Sequence, residues 1–522
     1  MSNFNYHINS LRITLFSIFV MGISACSDPV TYDLILRGGT IIDGSDSEAY
    51  QGDIAVNGDQ IAAIGQLGST SGLTEIDVSG LVVTPGFINI HSHAVGDGLP
   101  TAVNMISQGI TTEIMNSDGY GPIDIKDQFD SYMQNGLALN VGGFIGFNSV
   151  WLEVVGNENV RPTQNQINQM QDIIRAGLGA GSWGVSAGLD YVPGYYATTE
   201  EVIEVLEPFA AWNVVFANHD RVTPESGYSS ITGMTETITI GESTGLIPLV
   251  THMKVQGWEQ GRADEILESM RVAKTSNSEG AVADLYPYLA GQTGLAALII
   301  PSWAQAGGRE EMLQRFSDSE LRARIIEEAE EAMDLRWGGA SGVLVGGEQE
   351  LTDILNDLGT DSHGEAVIRL LEEADNGVIL RFGSEEDLIK IMQHPSVSIA
   401  CDCDATPEDT RAHPRYWGTF PKVLGEYVRE KGALTLVNAI YKMTGLPANT
   451  IGMEDRGLLK PGMAADITVF DAATIIDHAT FANPTARPDG IEYVILNGEL
   501  ALSNGVVTGI QAGEVLNRKL PF

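Results

Sequence analysis

Short apolar runs recur through the middle of the chain, and segments whose apolar residues have helical spacing lie between them. The helical segments include residues 164–180, 199–212 and 263–276. Repeated strand–helix units of this length indicate a parallel sheet, and about eight of them indicate a closed barrel. The pattern therefore predicts an α/β fold with a (β/α)8 TIM barrel over residues 86–455. The strand-like runs are residues 82–90, 109–115, 184–187, 214–218, 247–252, 281–286 and 397–402.

Both ends of the chain carry shorter strands separated by turns. Near the start, Asn57-Gly58 is a hairpin signal between alternating apolar residues. Similar strands recur near the other end, so we expect residues 32–85 and 456–515 to form one small β-sandwich domain. A glutamate-rich helical segment at about residues 303–360 is interpreted as an insertion beside the barrel mouth.

The N-terminus has the pattern of an export signal. The apolar run at residues 13–23 is too short to span a bilayer and ends in Ile23-Ser24-Ala25-Cys26, which resembles a bacterial lipobox. This predicts a signal peptide over residues 1–26, lipidation of Cys26 and a place in the bacterial cell envelope. Ser27 favours the outer membrane; an ordinary signal peptide is the alternative. Only Cys401 and Cys403 follow Cys26, so no disulfide framework is expected.

The formal net charge of −40 narrows the possible partners. A chain this acidic cannot neutralise a phosphate backbone, so nucleic acid is excluded as a binding partner. Contact with a membrane is expected only through the lipid anchor. An anionic small molecule would need local positive charge, so each lysine or arginine near a pocket becomes informative.

Histidines lie at the ends of several predicted strands. His91 and His93 end the run at 82–90, and residues two apart on a strand face the same side. His219 and His252 end two further runs, and Asp402 ends another. Carboxyl ends of barrel strands meet at one face, and imidazoles with a carboxylate suit a divalent metal. The sequence therefore predicts a metal site there.

Several longer motifs are similar to the N-acyl-D-amino-acid deacylase branch of the amidohydrolase superfamily. They are PGFINIHSH, GITTEIMNSDG, GVSAGLDYVPG, VTHMKVQG, DLYPY, AHPRYWGTFPKVLGEYVRE and DRGLLKPGMAADITVFD, and the similarity runs from about Tyr32 to Thr508. The resemblance implies a β-domain and a distorted (β/α)8 barrel. It favours Asp402 over Asp404 in the site and turns Cys401 and Cys403 away from it; a Cys-x-Cys metal site is the alternative. The ligands it implies are His91, His93, His219, His252 and Asp402.

One position departs from the family pattern. Well-known members carry a metal-binding cysteine after the second barrel strand, where this chain has Asp118. Our hypothesis is that Asp118 is the anionic ligand, with Glu113 as the fallback. A carboxylated lysine, common in the superfamily, has no good candidate, because Lys126 lies in a loop-like context. The expected cofactor is one or two Zn²⁺. Because a carboxylate is a harder ligand than a thiolate, the site should discriminate less sharply against Mn²⁺ or Co²⁺.

The expected reaction is hydrolysis of the amide bond of N-acyl-D-amino acids, with a small-molecule N-acyl amino acid or dipeptide as partner. A metal activates a water molecule, and Asp402 acts as general base and acid toward it and the leaving nitrogen. By resemblance, Lys254 and Arg415 bind the substrate carboxylate. Tyr191 and Tyr286 line the site, and Arg221 is a further candidate cation. A dipeptidase for Xaa-D-Xaa, a cyclic amidase of the hydantoinase or dihydroorotase kind, and a ligand-binding lipoprotein remain alternatives.

Overall fold

The computed structural model describes residue 1 and residues 31–93, 96–274, 280–347, 349–408 and 410–519. The predicted leader and the lipidation site at Cys26 lie outside these residues. Within this described part, no helix combines the length and the apolar character that crossing a bilayer requires.

The small β-domain is a sheet of nine strands, counted over the described residues, that takes strands from both chain ends. Its order places Val82–Pro85 between Thr31–Ile41 and Ile467–Phe470, so an N-terminal and a C-terminal strand pair directly. Alternating apolar residues of these strands form their own buried cluster. The strands are Thr31–Ile41, Tyr50–Asn57, Gln60–Gly65, Ser71–Asp77, Val82–Pro85, Ile467–Phe470, Ile491–Leu496, Glu499–Ser503 and Val506–Val507.

The middle of the chain forms the distorted (β/α)8 barrel, which confirms the predicted fold class. Over the described residues, its parallel strands fall into one run of six and one of three, and a bridge between Ser92 and Cys403 joins the first strand region to the last. The strands are Phe87–Asn89, Ile110–Met115, Asn140–Gly143, Ile145–Gly146, Gly184–Gly188, Val215–His219, Ile247–Val250, Val282–Leu285 and Val397–Ile399.

The barrel helices begin where capping residues occur in the sequence. Thr163 and Thr198 each form a capping box with the glutamine or glutamate three residues later. The helices are Val103–Ile106, Ile125–Asn135, Phe147–Val154, Gln164–Gly179, Thr199–Leu206, Ser230–Thr244, Ala263–Val272, Glu385–Gln393, Arg415–Lys422, Leu436–Met443 and Gly445–Ile451, with a π-helix at Val423–Glu430. Short 3-10 helices lie at Gly194–Tyr196, Glu207–Trp212, Pro224–Ser226 and Gly257–Glu259.

The insertion is larger than the predicted 303–360. It has a four-stranded sheet of its own, with strands Ala290–Gly294, Val343–Val345, Gln349–Glu350 and Gly377–Arg381. Periodicity could not find this boundary because the first and last strands are short and their pairing joins residues far apart in sequence. Its helices are Leu295–Ile299, Ser302–Gln305, Arg309–Ser317, Ser319–Trp337, Leu355–Leu358 and His363–Glu373, with 3-10 turns at Ala340–Gly342 and Leu351–Asp353.

Candidate metal centre

The predicted ligands converge at the carboxyl ends of the barrel strands. His91 and His93 follow strand Phe87–Asn89, and His219 is the last residue of its strand. His252, Asp118 and Asp402 each lie two or three residues beyond a strand. These three have φ values of +35°, +56° and +49°, which are uncommon for residues with a side chain and turn the chain sharply at the barrel mouth.

Asp118 lies at the centre of the four histidines. Its Oδ1 is 3.5 Å from His91 Nε2, and its Oδ2 is 3.6 Å from His93 Nε2. The same Oδ2 is 3.4 Å from His219 Nδ1 and 3.6 Å from His252 Nε2. Asp118 is therefore better placed than any other predicted anionic ligand to share an ion with all four rings.

Asp402 closes the other side of this cluster. Its Oδ1 is 2.9 Å from His93 Nε2 and 3.6 Å from His91 Nε2. Among the described residues, three combinations of side chains offer ligand atoms within 4.8 Å of one another. They are His91, His93 and Asp118; His91, His252 and Asp402; and Asp118, His219 and His252.

The donor set fits a divalent metal ion. His91 is fully buried, and neither of its ring nitrogens has a hydrogen-bond partner among the described residues. Asp118 is 5% exposed, and its Oδ1 is also without a hydrogen-bond partner there. Buried polar atoms left unpaired are costly, and nitrogen and carboxylate oxygen are the ligands that Zn²⁺ takes in catalytic sites. An ion between His91 Nε2 and Asp118 Oδ1 would satisfy both of these atoms, while His91 Nδ1 lies 3.5 Å from Asp284 Oδ2.

The electrostatics of the cluster keep both carboxylates ionised. Burial raises the pKa of Asp118, but His91, His252 and His219 outweigh it and hold that pKa well below its usual range. Burial likewise raises the pKa of Asp402, and the Arg415 guanidinium with His91 reverses the shift. Two ionised carboxylates among imidazoles make a strong cation-binding position.

The alternative ligands lie elsewhere. Glu113 is fully buried, its burial raises its pKa to about 8, and it belongs to none of the three ligand groups. Asp404 is also outside them; its Oδ2 accepts a hydrogen bond from the Tyr416 hydroxyl at 3.4 Å. Lys126 lies on helix Ile125–Asn135 with 71% of its side chain exposed and pairs with Asp130, so it cannot serve as a carboxylated bridging lysine.

A cavity of about 370 Å³ opens beside the cluster, and Lys254 and Arg415 line it. Arg415 is 3% exposed; one of its terminal nitrogens lies 2.9 Å from Asp402 Oδ2, and its guanidinium lies 4.8 Å from the centre of the Tyr286 ring. Lys254 Nζ lies 2.8 Å from His252 Nδ1, and burial lowers its pKa. Tyr191, whose ring is 4.5 Å from that of His219, also faces the cavity. Two cations therefore stand beside the candidate ligands.

The structure does not bring Arg221 to the cavity. The residue follows a strand end, as Lys254 does, but its guanidinium pairs with Glu236 at 3.0 Å and donates to the carbonyl oxygens of Tyr195 and Ala197. It does not line the cavity. Because its guanidinium makes these contacts, Arg221 stabilises the loop that contains Tyr195 and Ala197 and does not bind a ligand in the cavity.

Cys401 and Cys403 are joined by a disulfide, against the expectation of no disulfide framework. Both are fully buried in the barrel core, and Cys403 Sγ lies 3.7 Å from Met105 Sδ. The bond also rules out a Cys-x-Cys metal site, since both sulfurs are used. It brackets Asp402 between two linked residues.

Sequence reasoning missed Asp284. Its Oδ1 accepts a hydrogen bond from the His252 backbone at 2.7 Å, and its Oδ2 lies 3.5 Å from His91 Nδ1. A carboxylate behind a ligating histidine fixes the ring orientation and the nitrogen that carries the proton. Its signals in the sequence are a charged residue inside a buried strand, Val282–Leu285, and its place as the first residue of the DLYPY motif.

Known proteins with the same organisation are enzymes. Residues 383–501 match the amidohydrolase family. The D-aminoacylase of Alcaligenes xylosoxydans xylosoxydans is 33% identical over 94% of this chain and 99% of its own length. The N-acyl-D-aspartate deacylase of that organism is 30% identical over 94% and 95%. The crystal structure of N-acyl-D-glutamate deacylase from Bordetella bronchiseptica, complexed with zinc and a phosphonate mimic of the tetrahedral intermediate, superposes with a TM-score of 0.78 at 28% identity, covering 94% of this chain and all of the other.

Proposed function

This chain belongs to the D-aminoacylase family of amidohydrolases, and from that premise we propose that it hydrolyses the amide bond of N-acyl-D-amino acids. The products are a carboxylic acid and a free D-amino acid. The observation that carries this proposal is the juxtaposition of four histidines and two carboxylates with a cavity that Lys254 and Arg415 line. Such a cavity offers one place for an amide and another for a carboxylate.

The residues that would hold zinc are His91, His93, Asp118, His219 and His252, with Asp402 at the edge of the cluster. A bound divalent ion polarises a carbonyl group and lowers the pKa of a water molecule to about 7. Because Asp118 replaces a softer thiolate, we expect the site to accept Mn²⁺ or Co²⁺ more readily than a cysteine-containing site does.

Asp402 is the group we propose to move protons. Arg415 holds its Oδ2, which leaves Oδ1 beside His93 and facing the cluster. There the carboxylate accepts a proton from water and delivers it to the leaving nitrogen, which cannot depart as an amide anion. Lys254 and Arg415 bind the substrate carboxylate, and this places the amide against the cluster.

The test is turnover of matched N-acetyl-D- and N-acetyl-L-amino acids by protein stripped of metal and then reloaded with Zn²⁺. We expect hydrolysis of the D-isomers that chelation abolishes and zinc restores. Hydrolysis of the L-isomers alone, or of hydantoins in place of linear amides, contradicts the proposal. Lys126 already argues against the cyclic amidase, because it lies on an exposed helix face.

We also propose that the protein is a lipoprotein anchored through Cys26 in the bacterial cell envelope. The apolar run at 13–23 and the Ile23–Cys26 lipobox pattern support it. The Cys401–Cys403 disulfide is consistent with export, since cytoplasmic thiols are kept reduced. Cys26→Ser should abolish labelling of the protein with radioactive palmitate; unchanged labelling would refute the anchor.

A further inference from the structure

We propose that Asp190 is a positioning residue for the candidate ligand His219, and that Arg336, an arginine of the insertion, holds Asp190 in that place. The proposal rests on the ligand set of the proposed function and goes beyond it, because neither residue belongs to the candidate ligand groups. It makes the metal centre depend on a part of the chain that lies outside the barrel.

His219 turns one ring nitrogen to the cluster and the other to Asp190. Its Nδ1 lies 3.4 Å from Asp118 Oδ2, and its Nε2 lies 3.9 Å from Asp190 Oδ2. A neutral histidine that binds an ion through Nδ1 carries its proton on Nε2, so the N–H of His219 would face Asp190. A carboxylate behind a ligating histidine sets the orientation of the ring and the basicity of the ligating nitrogen. Asp190 therefore stands behind His219 as Asp284 stands behind His91.

An arginine from the insertion fixes the Asp190 carboxylate. Arg336 donates to Asp190 Oδ2 at 2.6 Å, and both side chains are buried. The other oxygen, Oδ1, accepts a hydrogen bond from the Val222 backbone at 3.0 Å. Because each oxygen has its own donor, the carboxylate cannot turn away from His219 without breaking one of these contacts. Arg336, Asp190 and His219 thus form a line of contacts from the insertion to the candidate metal centre.

The insertion meets the barrel closely at this point. Arg336 is the next-to-last residue of helix Ser319–Trp337, and its guanidinium lies 4.9 Å from the centre of the Trp337 ring. Gly257, on a barrel loop, has a φ of +54°, and a methyl group on its Cα would lie only 1.9 Å from the Leu335 carbonyl oxygen. Backbone therefore packs directly on backbone beside Arg336, which leaves the arginine little room to move relative to the barrel.

The same ion pair borders the cavity. Tyr191 and Trp337, which follow Asp190 and Arg336 in sequence, both line it. A change in turnover alone would therefore not separate an effect on His219 from an effect on the cavity wall. Zinc affinity separates the two, because neither Tyr191 nor Trp337 belongs to the candidate ligand groups.

The test is the zinc Kd of the double variant Asp190→Asn/Arg336→Met, measured by competition with a chelator of known affinity. Removing both charges leaves no buried charge of this pair without a partner, so we expect the variant to fold. The asparagine oxygen takes the Val222 N–H, and its NH2 group then faces His219 in place of the carboxylate oxygen. We expect the Kd to rise about 10- to 100-fold, as when the partner behind a ligating histidine is lost.

The matched control is Arg322→Met, which removes an arginine from the same helix. Arg322 pairs with Glu365 at 2.7 Å inside the insertion. We expect its zinc Kd to equal that of the wild type; an equal rise in the control and the double variant would assign the effect to a weakened insertion and overturn the proposal. A wild-type Kd in the double variant removes Asp190 from this role and leaves the proposed function standing. Absence of zinc binding by the wild type refutes the ligand set itself.

The hold of Arg336 on Asp190 is tested by chemical denaturation of zinc-free protein. Arg336→Met leaves the buried Asp190 carboxylate without its cation, whereas the double variant leaves neither charge. Removing one partner of a buried ion pair costs more stability than removing both. The single variant should therefore unfold at a lower denaturant concentration than the double variant, and equal midpoints would overturn the assignment of Arg336.

Discussion

The most informative substitution is Asp118→Asn, which keeps the shape of the side chain and removes its charge. Asp118 oxygens lie 3.4 to 3.6 Å from a nitrogen of each of the four histidines. At about 3.5 Å and an effective dielectric constant of about 20, one pair of unit charges interacts by about 5 kcal/mol. Much of this is offset by desolvation, and removing one partner of a buried charged set costs about 3–5 kcal/mol. The Kd for zinc should therefore rise roughly 150- to 4000-fold.

The assay is competition for Zn²⁺ with a chelator of known affinity, at pH 7, on protein whose folding is checked by circular dichroism. Asp404→Asn is the matched control, because Asp404 is two residues from Asp402 but belongs to none of the candidate ligand groups. We expect its zinc affinity to equal that of the wild type. A Kd for Asp118→Asn within about threefold of wild type, under about 1 kcal/mol, would refute the assignment of Asp118 as the anionic ligand.

Three further predictions follow from the same site and its surroundings. Asp402→Asn should abolish turnover with zinc still bound, because the amide cannot shuttle a proton; near-normal kcat removes Asp402 from the mechanism. Lys254→Met should raise KM for N-acetyl-D-leucine about 10- to 100-fold by deleting a charged hydrogen bond; an equal effect on the carboxamide analogue of the substrate would contradict carboxylate binding. Burial lowers the pKa of Lys442 from 10.5 to about 8. The unfolded chain then binds more protons than the folded chain between these pH values, so the free energy of unfolding should rise from pH 8 to about 10.5 relative to that of Lys442→Met. The measurement is chemical denaturation of both proteins across this pH range, and an equal pH dependence of their unfolding free energies would disprove the prediction.

Most residues of the candidate site could be predicted from the sequence because they lie at the ends of predicted strands. His91, His93, His219 and His252 were predictable because each ends an apolar run, and the carboxyl ends of parallel strands share one barrel face. Asp118 was predicted from the family resemblance, because it occupies the place of the family's metal-binding cysteine after the second strand. The position of a residue along its own strand determines whether it lies at the mouth of the barrel, because all barrel strands run toward that face.

Tertiary partners could not be predicted in the same way. Arg221 and Lys254 have equivalent positions after a strand, but Glu236, on a helix packed nearby, captures Arg221. Trp337 reaches the cavity from the insertion, which does not follow the repeating strand–helix pattern of the barrel. These outcomes depend on which elements pack together, and spacing along one segment does not determine that.

The Cys401–Cys403 disulfide shows how one backbone angle can overturn the expectation of no disulfide. Residues two apart on an extended strand have Cα atoms about 6.6 Å apart, whereas those of Cys401 and Cys403 are 5.1 Å apart. The left-handed conformation of Asp402 between them shortens this distance. An isolated Cys-x-Cys sequence does not reveal that turn.

The central place of strand Val82–Pro85 has a consequence for how the molecule is made on the ribosome. One edge of this strand pairs with Thr31–Ile41 early, but its other partner, Ile467–Phe470, is synthesised almost 400 residues later. Until then the strand presents unpaired backbone groups, which invite aggregation. A nascent chain whose synthesis stops within the barrel is therefore prone to aggregate through this strand edge. A barrel expressed without its C-terminal strands should aggregate for the same reason.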